Sequence, residues 1–507
     1  MRADRRNFLK KTGSAVAVAS TASVWPDLLL AKELPATAEA VFETRFGVSR
    51  GDMRRLLSLA LSKGGEFAEL FFEYKIANGV TMEEDIVKDS SERVSLGVGI
   101  RVLKGEQTGY GYTSDLTFEG MSQAAHTAAA IASEGGKVKI APLKARSNAL
   151  QVYDLERPFA ESSLSSRMSL LRQTYDSAQA YHPKIEKVRV SLRDDIQYAL
   201  VANSEGLLAS DTRPQVRLIA SVTAADGSKR STGVSTAGGR VGSAFFSVER
   251  TPKVIGREAA AEAIELLDAV DPRPGDQMVV LDSGQSGVMV HEAVGHPLEA
   301  DSNRKKSSVF WDKLNQRVAN PLVTIYDDPT IPHFRGSHNM DDEGTLPRKI
   351  TLIEEGKLVG FLQDRLSAKL MNMAPSGHGR RDGFENIPLP RMANTNLARG
   401  ESDPEEIVRS VKRGFFAKTY QGGMVQSSGK FTFSVNMGYL IEDGKLTAPV
   451  KNATLIGSIL EVLPNVTMVG NDMGTFLGTC GKGGQRAPVT AGTPTLKVGS
   501  MTVGGRS

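Results

Sequence analysis

Apolar positions recur every second residue across Phe67–Tyr74, Val80–Lys88, Arg93–Leu103 and Thr108–Tyr112, which predicts four successive strands, with a hairpin turn at Lys104-Gly105-Glu106. Helical spacing marks Met53–Ser62, and Met121–Ser133, Met168–Tyr181 and Arg257–Leu267 read as further helices. A second group of strands is expected at Val188–Asp194, Gln197–Ala202 and Gln215–Thr223. Sheets alternating with covering helices make the first half an α+β domain with antiparallel sheets, assigned to residues 45–270. Asp271-Pro272-Arg273-Pro274-Gly275 suits neither helix nor strand and is read as a domain boundary. Residues 275–507 then form a β-rich domain, interrupted by short helices near Lys369 and over Pro404–Gly414 and by one helix around Val290.

Composition sharpens this picture in three ways. Fifty glycines suit a turn-rich β protein better than a helical bundle, and 40% hydrophobic residues in a chain of 507 supply cores for two or three domains. The formal charge of +4 belongs mainly to the first 38 residues, where six Lys/Arg face three Asp/Glu, so nucleic acid is not an expected partner. A single cysteine, Cys480, excludes an internal disulfide.

The first residues read as an address. Asp4-Arg5-Arg6-Asn7-Phe8-Leu9-Lys10-Lys11 followed by the small, mildly apolar run Thr12–Val24 looks like a twin-arginine export signal, assigned to residues 1–38. Ala36-Thr37-Ala38 fits a processing site and Ala17-Val18-Ala19 is an alternative. The run falls short of the roughly 20 strongly apolar residues a bilayer requires, so no stable membrane span is expected and the mature chain is placed in the periplasm.

The candidate chemistry is concentrated in Val290-His291-Glu292-Ala293-Val294-Gly295-His296-Pro297-Leu298-Glu299-Ala300-Asp301. Two imidazoles and one further donor leave a tetrahedral Zn²⁺ with an open position, where bound water becomes a usable nucleophile and a neighbouring carboxylate can take its proton. Cys480 is available as that further donor. On a regular helix of about 3.6 residues per turn, a spacing of five leaves the two rings roughly 140° apart. A turn widened to i to i+5 bonding brings them back to one face, and Gly295 and Pro297 permit it. The sequence therefore predicts a helix widened or broken at 294–297. Two nitrogens and a soft sulfur favour zinc over calcium or magnesium. Lys482 would favour the thiolate of Cys480.

From about residue 50 onward the chain resembles the TldD/PmbA family of metallopeptidases. The resemblance rests on Gly336-Ser337-His338-Asn339-Met340-Asp341-Asp342-Glu343-Gly344, Leu362-Gln363-Asp364-Arg365-Leu366-Ser367-Ala368, Pro390-Arg391-Met392-Ala393-Asn394-Thr395, Ser428-Gly429-Lys430-Phe431, Pro449-Val450-Lys451-Asn452-Ala453-Thr454-Leu455-Ile456-Gly457, Met468-Val469-Gly470-Asn471-Asp472 and Gly478-Thr479-Cys480-Gly481-Lys482. It implies that His291, His296 and Cys480 are the metal ligands and Glu292 the general base, as in the metal-bearing TldD-type subunit. It further implies a dimer, of two copies or with a related metal-free subunit, that threads short or unfolded peptides into an enclosed cavity. Glu299 and Asp301 are candidates to orient the ligating imidazoles, and His338 to polarise a scissile carbonyl. The expectation is a zinc-dependent peptidase. The alternative is a non-catalytic exported partner subunit that binds peptides and keeps a structural metal.

Overall fold

The computed structural model describes residues 37–505 apart from 132–138, 148–149, 154–158 and 160–161. The expected leader, residues 1–38, lies outside the described residues as far as Ala36.

Two helices open the described chain, α1 (Ala38–Phe46) and α2 (Arg50–Ala60). Ser49 and Asp52 close a reciprocal capping box on α2, whose Met53, Leu56, Leu57 and Ala60 are buried. The predicted strand Phe67–Tyr74 runs on to Glu83 as β1 (Phe67–Glu83), while the predicted strand Val80–Lys88 is divided by a turn at Glu84–Asp85: its start belongs to β1 and its end joins the predicted Arg93–Leu103 in β2 (Ile86–Lys104), which leads to β3 (Gln107–Thr113). After α3 (Phe118–Ala129) come β4 (Lys144–Arg146), α4 (Leu164–Gln179), β5 (Ile185–Asn203), β6 (Leu207–Asp226) and β7 (Lys229–Gly239). The two expected strand groups form one sheet, ordered β3-β2-β1-β5-β6-β4 with β7 also on β6, because β1 pairs antiparallel with both β2 and β5. Short helix α5 (Phe245–Val248) and α6 (Pro252–Leu267) follow. The apolar faces of α4 and α6 bury Leu171, Ala178, Ile255, Ala259 and Ala263 against Val188, Val190, Val222 and Ala224 of the sheet.

Burial along β5 alternates over its first half and becomes continuous from Tyr198 to Asn203. Continuous burial marks a strand covered on both faces. Its second cover is the later half of the chain, where Met340 and Phe384 pack with Phe71, Ala199 and Val201.

That later half makes β8 (Gly275–Leu281), helix α7 (Gly287–Val290) and helix α8 (Ala300–Arg304). It continues through β9 (Ile325–Asp327), β10 (Ile350–Glu354), β11 (Lys357–Leu358), β12 (Gly379–Arg380), β13 (Leu389–Pro390) and β14 (Asn394–Leu397). Next are β15 (Arg413–Val425), β16 (Lys430–Glu442), β17 (Lys445–Val450), β18 (Ala453–Ser458) and β19 (Val466–Val469). The chain closes with β20 (Gly474–Lys482), β21 (Gln485–Thr493) and β22 (Leu496–Gly504). Six of these strands order as β11-β10-β9-β14-β21-β20, with β20 at the edge; seven others form a sheet built on β15-β8-β22-β18-β16-β17. One hydrophobic core draws Ile325, Leu352, Leu397 and Val489 from the first of these sheets and Val279, Phe415, Phe433 and Val498 from the second. Val290, Val294 and Leu298 lie inside the same core, which explains how a segment bearing two histidines is held so firmly.

Candidate metal centre

The helix that begins at Gly287 changes pitch at His291. Residues His291–Gly295 are π-helical, with the His296 N–H donating to the His291 carbonyl five residues back, and His296–Leu298 then tightens to a 3₁₀ turn. Pro297 has no N–H to continue a regular ladder. Gly295 also leaves room for Met392: a Cβ there would lie 1.8 Å from the Met392 sulfur, so that buried side chain would have to shift. The wider turn places the rings of His291 and His296 at 5.1 Å between centroids, nearly perpendicular to one another.

Cys480 comes from β20 on the neighbouring sheet, opposite Ala487 of β21. Its sulfur is 3.3 Å from His296 Nε2, and the candidate ligand atoms of His291, His296 and Cys480 all lie within 4.8 Å of one another. His291 Nδ1 is buried without a hydrogen-bond partner. Such an orphaned nitrogen is costly in a dry interior, and two imidazoles with a thiol form a donor set suited to zinc, so these residues fit a metal ion. Although burial opposes its ionisation, His291 and His296 lower the Cys480 thiol to about 5. Burial likewise opposes a charge on His296, yet Glu299 and Cys480 hold its imidazole well above its ordinary range. Glu292 stands at the open side of the group, its carboxylate 3.8 Å from His296 Nε2 and its side chain 24% exposed.

Around these donors lies a ring of supporting charges. Glu299 is buried, with Oε2 3.0 Å from His296 Nδ1 and 3.0 Å from Lys482 Nζ. Against the effect of its burial, His296 and Lys482 hold its carboxyl down at about 2. Lys482 also donates to Asp301 at 2.6 Å and to the Pro390 carbonyl at 3.1 Å. It is thus committed to carboxylates, and the sequence expectation that it acts on the thiol is corrected: the imidazoles do that. Asp301 meets Lys482 and reaches the imidazole only through it. His338 lies elsewhere, buried, with its ring nitrogens 3.0 Å from the Gly336 carbonyl and 2.9 Å from that of Gly377, so both are occupied.

Several residues that shape the site were not singled out from sequence. Arg391 donates to the Cys480 carbonyl at 2.8 Å and holds that backbone in place. Asp327, fully buried, accepts from the amides of Ala393 and Asn394 and the Thr395 hydroxyl and faces His378 Nε2 at 3.0 Å. It locks β9 to β14, which pairs with β21 and so carries the hairpin that presents Cys480. Their only signal in the sequence was a run of polar residues in a segment otherwise rich in buried strands.

Models described as PmbA/TldA metallopeptidase domain 1, central domain and C-terminal domain match residues 68–132, 157–267 and 274–505. A metalloprotease TldD homolog of Haemophilus influenzae is 39% identical over 448 residues, covering 87% of this chain and 93% of its own. The chain belongs to the PmbA/TldD metallopeptidase family. Its fold is that of solved relatives as well. A Thermotoga maritima protein described as a candidate modulator of a DNA gyrase superposes with a TM-score of 0.75 at 23% identity, over 90% of this chain and 99% of that one. TldE from Thermococcus kodakarensis gives 0.71 at 18% identity, over 90% and 100%. The family's α+β fold accounts for a mixed architecture in which sheets from both halves share one body.

Proposed function

We propose that this chain is a metal-bearing, TldD-type peptidase that hydrolyses short or unfolded peptides with Zn²⁺ held by His291, His296 and Cys480. The observation that carries the reading is the approach of those three donor groups within 4.8 Å, with Glu292 beside them. Three donors from the protein leave a tetrahedral ion one open position, the pattern of catalytic rather than structural zinc. A zinc ion held there would supply Lewis acidity, making water a usable nucleophile near neutral pH and polarising the peptide carbonyl. Glu292 takes a proton from the attacking water and delivers it to the departing amine, so the carboxylate is restored at the end of each turnover. Glu299 keeps Nδ1 of His296 engaged, which leaves Nε2 directed at the metal position. An extended peptide can add to the edge strand β20, a mode that reads main chain more than side chain and gives broad specificity.

We further propose a dimer, of two copies or with a metal-free relative, enclosing the peptide, and export to the periplasm by the twin-arginine route. Loading metal before export protects a lone thiolate from oxidation. Thr37 caps α1 through Ala40 N, and Ala38 is buried, which favours processing ahead of Thr37.

The test is Glu292→Gln in the purified mature protein, followed by elemental analysis and peptide cleavage. Zinc content is expected to stay near one per chain while kcat/KM falls by roughly 10²- to 10⁴-fold, the usual worth of a positioned general base. Unchanged cleavage would remove Glu292 from the mechanism.

A further inference from the structure

A cavity of about 420 Å³ opens against the far side of the strand that bears Cys480, lined there by Thr479 of β20 and its cross-strand neighbour Pro488 of β21. Side chains alternate along a strand, so Thr479 faces this cavity while Cys480 faces the imidazoles. Ten Lys and Arg side chains line it against six Asp. Most of these carboxylates are already engaged: Asp342 by Arg213, Asp382 by Arg486, Asp195 by Lys75, and Asp194 by Arg167.

Six of the arginines meet no carboxylate among the described ion pairs; Arg93 and Arg193 are exposed, and the other four are buried or half-buried. Arg335 donates to the Gly478 carbonyl at 2.9 Å and to the Thr479 hydroxyl at 3.3 Å, and Arg217 to the Leu477 carbonyl at 3.4 Å. Arg380 donates to the carbonyls of Met392 and Pro488, and Arg240 to that of Pro214 while its guanidinium lies 5.4 Å from the centre of the Tyr153 ring. Among the described ion pairs none of the four meets a carboxylate, and Nε of Arg217 and of Arg240 is buried with no hydrogen-bond partner. Burial, with the Arg217 guanidinium close by, lowers Arg335 to about 10, and burial lowers Arg380 to about 9. Desolvated guanidinium groups that meet no carboxylate directly, with Asp342 acting on Arg380 and Asp195 on Arg335 only from a distance, are costly to a folded chain, and an incoming carboxylate lowers that cost through paired, charge-assisted hydrogen bonds.

We propose that this arginine cavity binds a carboxylate of the peptide substrate, its C-terminal carboxylate or an acidic side chain, and thereby fixes the direction in which the peptide lies beside the metal centre. The proposal rests on the peptidase reading above. The remaining aspartates in the wall disfavour a polyphosphate or a nucleic-acid backbone, whereas a single carboxylate can be seated between the guanidinium groups.

The experiment uses the full mature chain carrying Glu292→Gln and fluorescein-labelled peptides in equilibrium anisotropy. An alanine tetrapeptide with a free C-terminus is compared with its amide, and an amidated peptide containing one glutamate with its glutamine counterpart. A carboxylate is expected to bind roughly 10- to 100-fold tighter than its neutral partner, the range of charge-assisted hydrogen bonds, and that ratio is expected to fall toward one in Arg335→Gln and in Arg217→Gln. The first pair identifies a terminal carboxylate as the ligand and the second an acidic side chain. Equal binding within both pairs overturns the proposal, as does a ratio that survives in both arginine variants, or displacement of the peptide by an oligonucleotide at lower concentration than by free alanine tetrapeptide. Melting temperatures separate a binding role from a structural one: loss of an unmatched buried charge leaves them unchanged or higher, whereas a fall with the ratio intact assigns the arginines to folding alone. Carboxylate-selective binding in a protein whose native form cleaves no peptide would sink the peptidase reading and leave this site standing.

Discussion

His296 uses both faces of one ring, Nε2 toward the Cys480 sulfur and Nδ1 toward Glu299. Replacing Glu299 by Gln retains an acceptor but removes the charge that Lys482 and the imidazole share. Metal affinity is expected to weaken roughly 10- to 100-fold, measured by competition with a chromophoric chelator. Asp301→Asn, which touches only Lys482, is expected to cost less; equal losses would assign the effect to Lys482. The identity of His291, Glu292 and His296 as candidates was legible because their chemistry lies in residue type and local spacing, whereas Cys480, 184 residues beyond His296, was assigned through the family resemblance. The direction taken by Lys482 was not legible, since a long side chain two residues beyond Cys480 shares its face and is claimed by carboxylates from a distant turn.

At the scale of elements, the spacing of the two histidines announced a widened turn, while the reason it is tolerated depends on packing that no local pattern contains. Met392 occupies the place of any side chain at position 295. Gly295→Ala is therefore expected to displace the π turn and lower bound metal to well under half, and trimming the obstacle in Gly295→Ala/Met392→Ala is expected to restore part of it; no restoration would mean that backbone freedom, not space, sets the requirement. The strands of the first sheet were legible as alternation, but their lengths were not, because β1 stays buried where its polar residues contact the other half of the chain. A second element carries a charge worth testing. Asp282, in the link from β8 to α7, is pushed up to about 6 by burial and by Asp472, against the pull of Lys418. The folded chain keeps that proton to higher pH than the unfolded chain, so its contribution to stability falls as pH rises from about 4 through about 6. Asp282→Asn is expected to raise stability at pH 7.5 by up to about 3 kcal/mol and to have no such effect near pH 4, read from melting temperatures at both.

Across the whole described body, the segment Asp341-Asp342-Glu343 was legible as a family resemblance but not as a fastening between the two halves of the chain. Arg101 of β2 lies between Glu69 of β1 at 2.8 Å and Glu343 at 2.6 Å, and Arg381 reaches the other oxygen of Glu69 at 2.8 Å, all four side chains being almost wholly excluded from water. Sequence cannot announce such a network, because each member looks like an ordinary surface charge until its partner, up to 312 residues away, arrives. Burial of ions is repaid only while every charge is matched. Removing one partner should therefore cost more than removing a pair. Arg101→Leu is expected to destabilise the chain by about 3–5 kcal/mol, seen as a lower urea midpoint at unchanged slope, because Glu343 is left without its guanidinium partner. Arg101→Leu/Glu343→Leu, which removes that stranded charge, is expected to recover at least about 1 kcal/mol. If Arg101→Leu costs less than about 1 kcal/mol, the union of the halves rests instead on the apolar contact of Met340 and Phe384 with Phe71, Ala199 and Val201, and truncating Phe384 becomes the more damaging change.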